Sequence, residues 1–114
     1  MQEADLKQVV DDALADAKAR EVVWMDVRNQ TDITDYMVVA SGTSNTHVKA
    51  VVDRVLDQAL AAGFRPLGVE GLENAEWVLI DLGDIVVHVM LPKVREFYDL
   101  ERLWSTGTTK SKSV

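Results

Sequence analysis

Between Glu76 and Met90 the chain reads EWVLIDLGDIVVHVM, and this stretch limits the possible folds more than any other. Aliphatic residues dominate it, and it is broken once, at Gly83-Asp84. Glycine at the first central position suits a two-residue hairpin loop, which sets Leu82 opposite Ile85. Counting outward pairs Ile80 with Val87 and Val78 with Val89. One face then consists of Val78, Ile80, Leu82, Ile85, Val87 and Val89, all aliphatic, and is a core face. The other sets Trp77 opposite Met90, Leu79 opposite His88 and Asp81 opposite Val86. A chain with this hairpin needs a sheet that buries its first face and finds a use for its second.

The remaining elements supply such a sheet. Leu6, Val9, Val10, Ala13, Leu14 and Ala17 recur at three- and four-residue spacing, so the segment from Glu3 to Ala19 is expected to form an amphipathic helix. Glu21–Arg28 and Asp35–Ser41 read as antiparallel strands joined by the turn formers of NQTDIT. Val48, Val51, Val52, Val55, Leu56, Ala59 and Leu60 form one face of a second helix that stops at Gly63. Arg65–Val69 is expected as a short strand, followed by a polar loop to Glu76. After Pro92, residues Val94, Phe97, Tyr98, Leu100, Leu103 and Trp104 suggest short helical turns. The order is αββαβββα without an internal repeat, which predicts one α/β domain with a mixed sheet of about five strands flanked by helices. Residues 1–104 make up that domain, and the polar tail at 105–114 is expected to be disordered.

Composition narrows the function. The 114 residues carry a formal net charge of −7, with nineteen acids against twelve Lys and Arg. Two of those bases, Lys110 and Lys112, lie in the acid-free tail. A domain this acidic is a poor binder of nucleic-acid backbones and attracts basic proteins instead. There is no cysteine, which removes disulfides, thiolate zinc sites and thiol nucleophiles. The longest apolar runs are too short to span a bilayer.

The second hairpin face is neither a plain solvated surface nor a plain core. A helix, such as the C-terminal one, could cover Trp77, Leu79 and Met90 and leave His88 hydrogen-bonded at the margin. Alternatively, part of the face is an exposed apolar patch rimmed by acids, the composition of a protein-binding site. Asp81 and His88 share the face, but a metal site usually needs three or more convergent ligands, and the other histidine, His47, is distant in sequence. In VVASGTSNTH the loop enters a helix, where exposed amides attract anions. Capping by Ser44 or Thr43, with a tight turn at Gly42, requires less, and the motif lacks the lysine of GxxxxGK[ST].

Three blocks, TDITDYMVVASGTSNTHVKAVVDRV, GFRPLGVEGLENAEWVLIDLGDIVVHVM and REFYDLERLW, resemble in order and spacing the ribosomal silencing factor family, also called the Iojap family. The likeness covers about residues 3–104. It implies a nucleotidyltransferase-like core, homodimers, and a role without chemistry or cofactor in the bacterial cytoplasm. The family's members bind the large ribosomal subunit through its ribosomal protein fourteen and block joining of the small subunit, which lowers translation when nutrients are scarce. Glu70, Gly71, Trp77, Asp81, Leu82, Gly83, Asp84, His88 and Met90 match the family's hallmark block. The resemblance therefore puts the partner surface there, extended by Tyr98: Trp77, Leu79 and Met90 for apolar contact, Glu70, Asp81 and Asp84 for basic side chains, and His88 without an assigned contact. Thr46 departs from the basic residue that many relatives carry in SGTSN-x-H, which leaves any anion contact there without support.

The fold also raises a rival, a nucleotide-binding or nucleotidyltransferase-like enzyme. Such enzymes set a Gly-Ser loop near two carboxylates one residue apart on a strand, so that they bridge two metal ions about 4 Å apart. No such pair follows SGTSN on an expected strand; Asp81 and Asp84 lie across a turn.

Overall fold

A computed structural model describes the backbone of residues 5–29 and 34–98. The polar tail lies outside the described residues. Helix α1 (Leu6–Asp16) is followed by β1 (Arg20–Asp26), β2 (Tyr36–Ser41), α2 (Asn45–Ala61), β3 (Gly68–Glu70), β4 (Trp77–Asp81), β5 (Ile85–Met90) and α3 (Pro92–Tyr98). The strands form one five-stranded sheet in the order β1-β2-β5-β4-β3. Its central pair, β2 and β5, is parallel, and the other neighbours are antiparallel, so the sheet is mixed.

The hairpin register follows the count across Gly83-Asp84. Ile80 pairs with Val87, Val78 with Val89, Trp77 with Met90, Leu79 with His88 and Asp81 with Val86. Leu82 N donates to Ile85 O at 2.9 Å, and Gly83 takes the positive φ of 90° that glycine tolerates best. The turn is also tied to the neighbouring strand, because Asp84 O accepts from both Asp35 N and Tyr36 N.

Helices α1 and α2 cover the aliphatic face. Val10, Ala13 and Leu14 of α1 and Val48, Val51, Val52, Val55 and Ala59 of α2 are buried against Val38, Ala40, Val78, Ile80, Ile85, Val87 and Val89. Burial of this kind contributes about 25 cal/mol per Å² of apolar surface and is what holds both helices to the sheet. Both helices end in the same way. Ala19 N bonds Leu14 O and Lys18 N bonds Ala15 O, while Phe64 N bonds Ala59 O and Gly63 N bonds Leu60 O. Each pattern is a Schellman closure with one left-handed residue. At α2 that residue is Gly63 (φ 93°), as expected, whereas at α1 it is Lys18 (φ 61°), which stops the helix at Asp16, short of the expected Ala19.

The third strand is shifted from its expected place at Arg65–Val69 to Gly68–Glu70. Pro66 has no N–H to give to a ladder. Contact with β4 therefore begins at Leu67, whose N–H reaches Asp81 O at 2.7 Å. The first strand bulges where Arg20 pairs with Ser41 and Val23 with Val39, and Glu21 there adopts φ 49°.

Candidate functional site

The sheet's second face is built by register. Val23, Val39, His88, Leu79 and Glu70 form one row across all five strands. Met25, Met37, Val86 and Asp81 form the row on one side, and Ser41, Met90 and Trp77 the row on the other. Burial falls steadily from the centre to the β3 edge. Val86, His88 and Met90 of β5 are buried, Trp77, Leu79 and Asp81 of β4 are half-buried, and Glu70 of β3 is exposed.

The two halves of this face differ in depth. Met90 is 0% exposed and belongs to a second core of Met25, Val27, Met37 and Val39, onto which Val94 of α3 and Trp77 pack. Arg95 of α3 is buried, and its Nη1 donates to Ser41 Oγ at 2.9 Å. Its guanidinium also lies 4.0 Å from Glu21 Oε1 at the β1 bulge. Helix α3 thus closes the Ser41–Met90 end of the face. Among the described residues, the strip of Trp77, Leu79 and Asp81 is the half-buried part of the face, with exposed Glu70 beside it.

The expected contact residues are therefore not equivalent. Met90, assigned to apolar contact, is buried beside Trp77, its partner across the strand pair. His88 is 5% exposed and also lies beneath the surface. Asp81 is half-occupied by its own turn, because its Oδ1 accepts from Gly83 N at 2.9 Å. Asp84 is exposed at the tip, and Leu67, a leucine 73% exposed, lies beside Gly83 of the same turn. Tyr98 ends α3, and its side chain lies outside the described residues. Sequence reasoning missed Arg95 and Ser41, since nothing local links them before the parallel pairing of β2 with β5 is known.

Within the strip, Trp77 Nε1 donates to His88 Nδ1 at 3.0 Å, with the ring centroids 5.9 Å apart and the planes inclined by 47°. A nitrogen that accepts carries no proton, so the neutral ring holds its hydrogen on Nε2. That Nε2 is buried with no hydrogen-bond partner. Burial also pushes the His88 pKa down, from 6.5 to about 4, so the ring is neutral at physiological pH.

Trp77 is also held by the loop before it. Gly71 has φ 93°, and a Cβ there would lie 2.2 Å from Trp77 O, so the GLENA turn runs hard against the start of β4. Ala75, fully buried, closes that turn by donating to Gly71 O at 3.0 Å. Asn45 at the start of α2 reaches across to Asn74 O at 2.9 Å.

The SGTSN loop is a cap, as its residues suggested. Ser44 Oγ accepts from His47 N at 3.1 Å. His47 then acts as a clasp, its Nδ1 accepting from Thr43 N at 2.8 Å and its Nε2 lying 2.9 Å from Ala17 O at the end of α1. Gly42 is required because a Cβ would meet Val48 N at 2.8 Å. Among the described residues no cluster of three or more His, Asp or Glu side chains is placed to hold a metal ion. None of the described helices is long and apolar enough to cross a membrane.

Comparison with known proteins settles the family. A family model described as "Ribosomal silencing factor during starvation" matches residues 1–114. This chain belongs to the ribosomal silencing factor family. A ribosomal silencing factor from Chromobacterium violaceum is 42% identical over 104 residues, covering 91% of this chain and 85% of the relative. A crystal structure from the same organism superposes with a TM-score of 0.87 at 41% identity, covering 98% of this chain and 92% of the other. A mouse protein named for mitochondrial assembly of the large ribosomal subunit is 35% identical over 81% of this chain, which spans 42% of that longer protein. Membership in the silencing factor family implies association with the ribosome. The relatives are named as regulators and not as enzymes.

Proposed function

We propose that the chain binds the large ribosomal subunit through its ribosomal protein fourteen and represses translation under nutrient limitation by excluding the small subunit. The observation that carries this reading is the full-length match to the silencing factor family. The sheet's half-buried strip suits the task in chemistry. Trp77 and Leu79 offer apolar surface, and Glu70, with Asp81 and Asp84 at the turn, offers negative charge to a basic partner. Met90 and His88 lie buried beside the strip on the same face, and Tyr98 is proposed as a further contact residue.

The mechanism is occupancy. A bound domain fills space that the small subunit needs, so inhibition follows the fraction of large subunits carrying the protein and needs no turnover. The cell's cytoplasm is the proposed site of action, and a homodimer the proposed free form.

Co-sedimentation with purified large subunits, with and without added small subunits, tests this reading. Wild-type protein should pellet with large subunits and reduce joining. A folded Trp77→Ala variant should bind far more weakly, because loss of a central aromatic anchor commonly costs about 2 kcal/mol or more. Equal binding by that variant places the contact elsewhere. Turnover of a nucleotide with Mg²⁺ that is lost in Asp81→Asn would favour an enzyme instead.

A further inference from the structure

We infer that His88 is a positioning residue for Trp77, kept in the sheet to hold the indole in its docking orientation and not to stabilise the fold. The inference rests on the proposed surface and adds a part to it. Three observations carry it. The His88 ring is buried directly beside the half-buried strip, and its Nδ1 takes the Trp77 indole hydrogen at 3.0 Å. Its other nitrogen, Nε2, is buried and unpartnered. Trp77 itself is half-buried and packs against the Met90 cluster, which places the His88 bond at the margin between core and surface.

An unpartnered buried N–H is an energetic loss that an aliphatic residue of similar size would avoid. The row in which His88 sits is otherwise Val23, Val39 and Leu79 up to the edge, so leucine would suit the site at least as well for packing. What leucine cannot do is accept the indole hydrogen. Without that bond the indole N–H loses its acceptor on His88 and the half-buried ring has one restraint fewer, so a partner that takes the ring has more of it to order on binding. With it, the partner meets a ring already fixed and with its one donor satisfied. The retained cost and the retained geometry point to the same role.

A pair of variants separates positioning from support. His88→Leu removes the acceptor and the unpartnered N–H together. His88→Asn keeps an acceptor, since its amide oxygen can occupy nearly the place of Nδ1, but adds a buried polar group. The expected result is opposite for stability and binding. His88→Leu should melt at or above the wild-type temperature yet bind purified large subunits about tenfold more weakly, equivalent to about 1.4 kcal/mol. His88→Asn should melt lower and bind like wild type. The Trp77 indole N–H resonance, assigned in a Trp24→Phe, Trp104→Phe background, should move upfield in the leucine variant only.

Binding by His88→Leu equal to wild type overturns the inference, as does a loss of binding that follows loss of stability in both variants. An unmoved indole resonance in His88→Leu overturns it without reference to any partner. Wild-type protein that fails to co-sediment while the resonance shifts as expected overturns the docking surface, and the inference about docking with it.

Discussion

Arg95 reaches Ser41 across the end of the sheet, Nη1 to Oγ at 2.9 Å, and both residues are buried. The bond ties α3 to the last residue of β2, fifty-four positions away in sequence. It explains how a short helix comes to shield Met90.

Removing the hydroxyl leaves a guanidinium donor buried with one partner fewer. Ser41→Ala should lower the unfolding free energy by about 1–3 kcal/mol, read from urea titration at constant m-value. A midpoint equal to wild type would show that the Arg95–Ser41 bond adds nothing to the hold on α3.

Two glycines with the same φ should respond very differently to alanine. Gly63 has open space where a Cβ would stand, so Gly63→Ala carries only the left-handed strain, about 1 kcal/mol. At Gly71 the new Cβ would also collide with the Trp77 carbonyl, so the loop must move and the loss should reach several kcal/mol. Thermal melts of the pair decide the matter, and equal losses would contradict the close approach at Gly71.

Lys18 occupies a closure position at φ 61° that glycine fills at the end of α2. Lys18→Gly should therefore stabilise the protein by roughly 0.5–1 kcal/mol, by relieving left-handed strain in the folded state. The gain would be smaller if the freer glycine lowers the unfolded state more, and a net loss in denaturant titration would refute the assignment of strain.

Acid should weaken the fold through His88. Its folded pKa is pushed down to about 4 from 6.5, so as pH falls below about 6.5 the unfolded chain takes up a proton that the folded one refuses. The stabilisation is whole above that pH, declines toward pH 4, and is constant below it. The loss is at most about 3–4 kcal/mol, the bound set by the fall from 6.5 to about 4. Comparing wild type with His88→Leu removes the carboxylates' shared contribution, and a stability difference that does not change between pH 7 and 4.5 would refute the burial effect.

Much of the sheet could be counted from the sequence, because period-two alternation and one turn determine a register. The pairing from Trp77–Met90 to Asp81–Val86 required only the Gly83-Asp84 loop. The end of α1 could not be found that way, since the apolar spacing continues to Ala17 and Lys18 gives no glycine signal. The strand near Leu67 begins later than expected because Pro66 has no N–H to give to the ladder. For the candidate site, sequence named the face but not its depth. Whether Met90 and His88 are surface or interior depends on α3 and on the parallel pairing of β2 with β5, which are long-range facts with no local pattern. The bond from Trp77 to His88 lies between these cases. Both residues fall on the counted face two rungs apart, but only their rotamers bring Nε1 to Nδ1.

The parallel join at the centre of the sheet also bears on how the chain reaches its native state. The β4–β5 hairpin closes between near neighbours, and α2 forms within itself. Tyr36, by contrast, meets Ile85 only once α2, β3 and β4 have been laid aside between them. Contacts that close such long loops form against an entropic cost and slow the search. Asp84 O, which accepts from both Asp35 N and Tyr36 N, closes the end of that long loop where the parallel pairing starts.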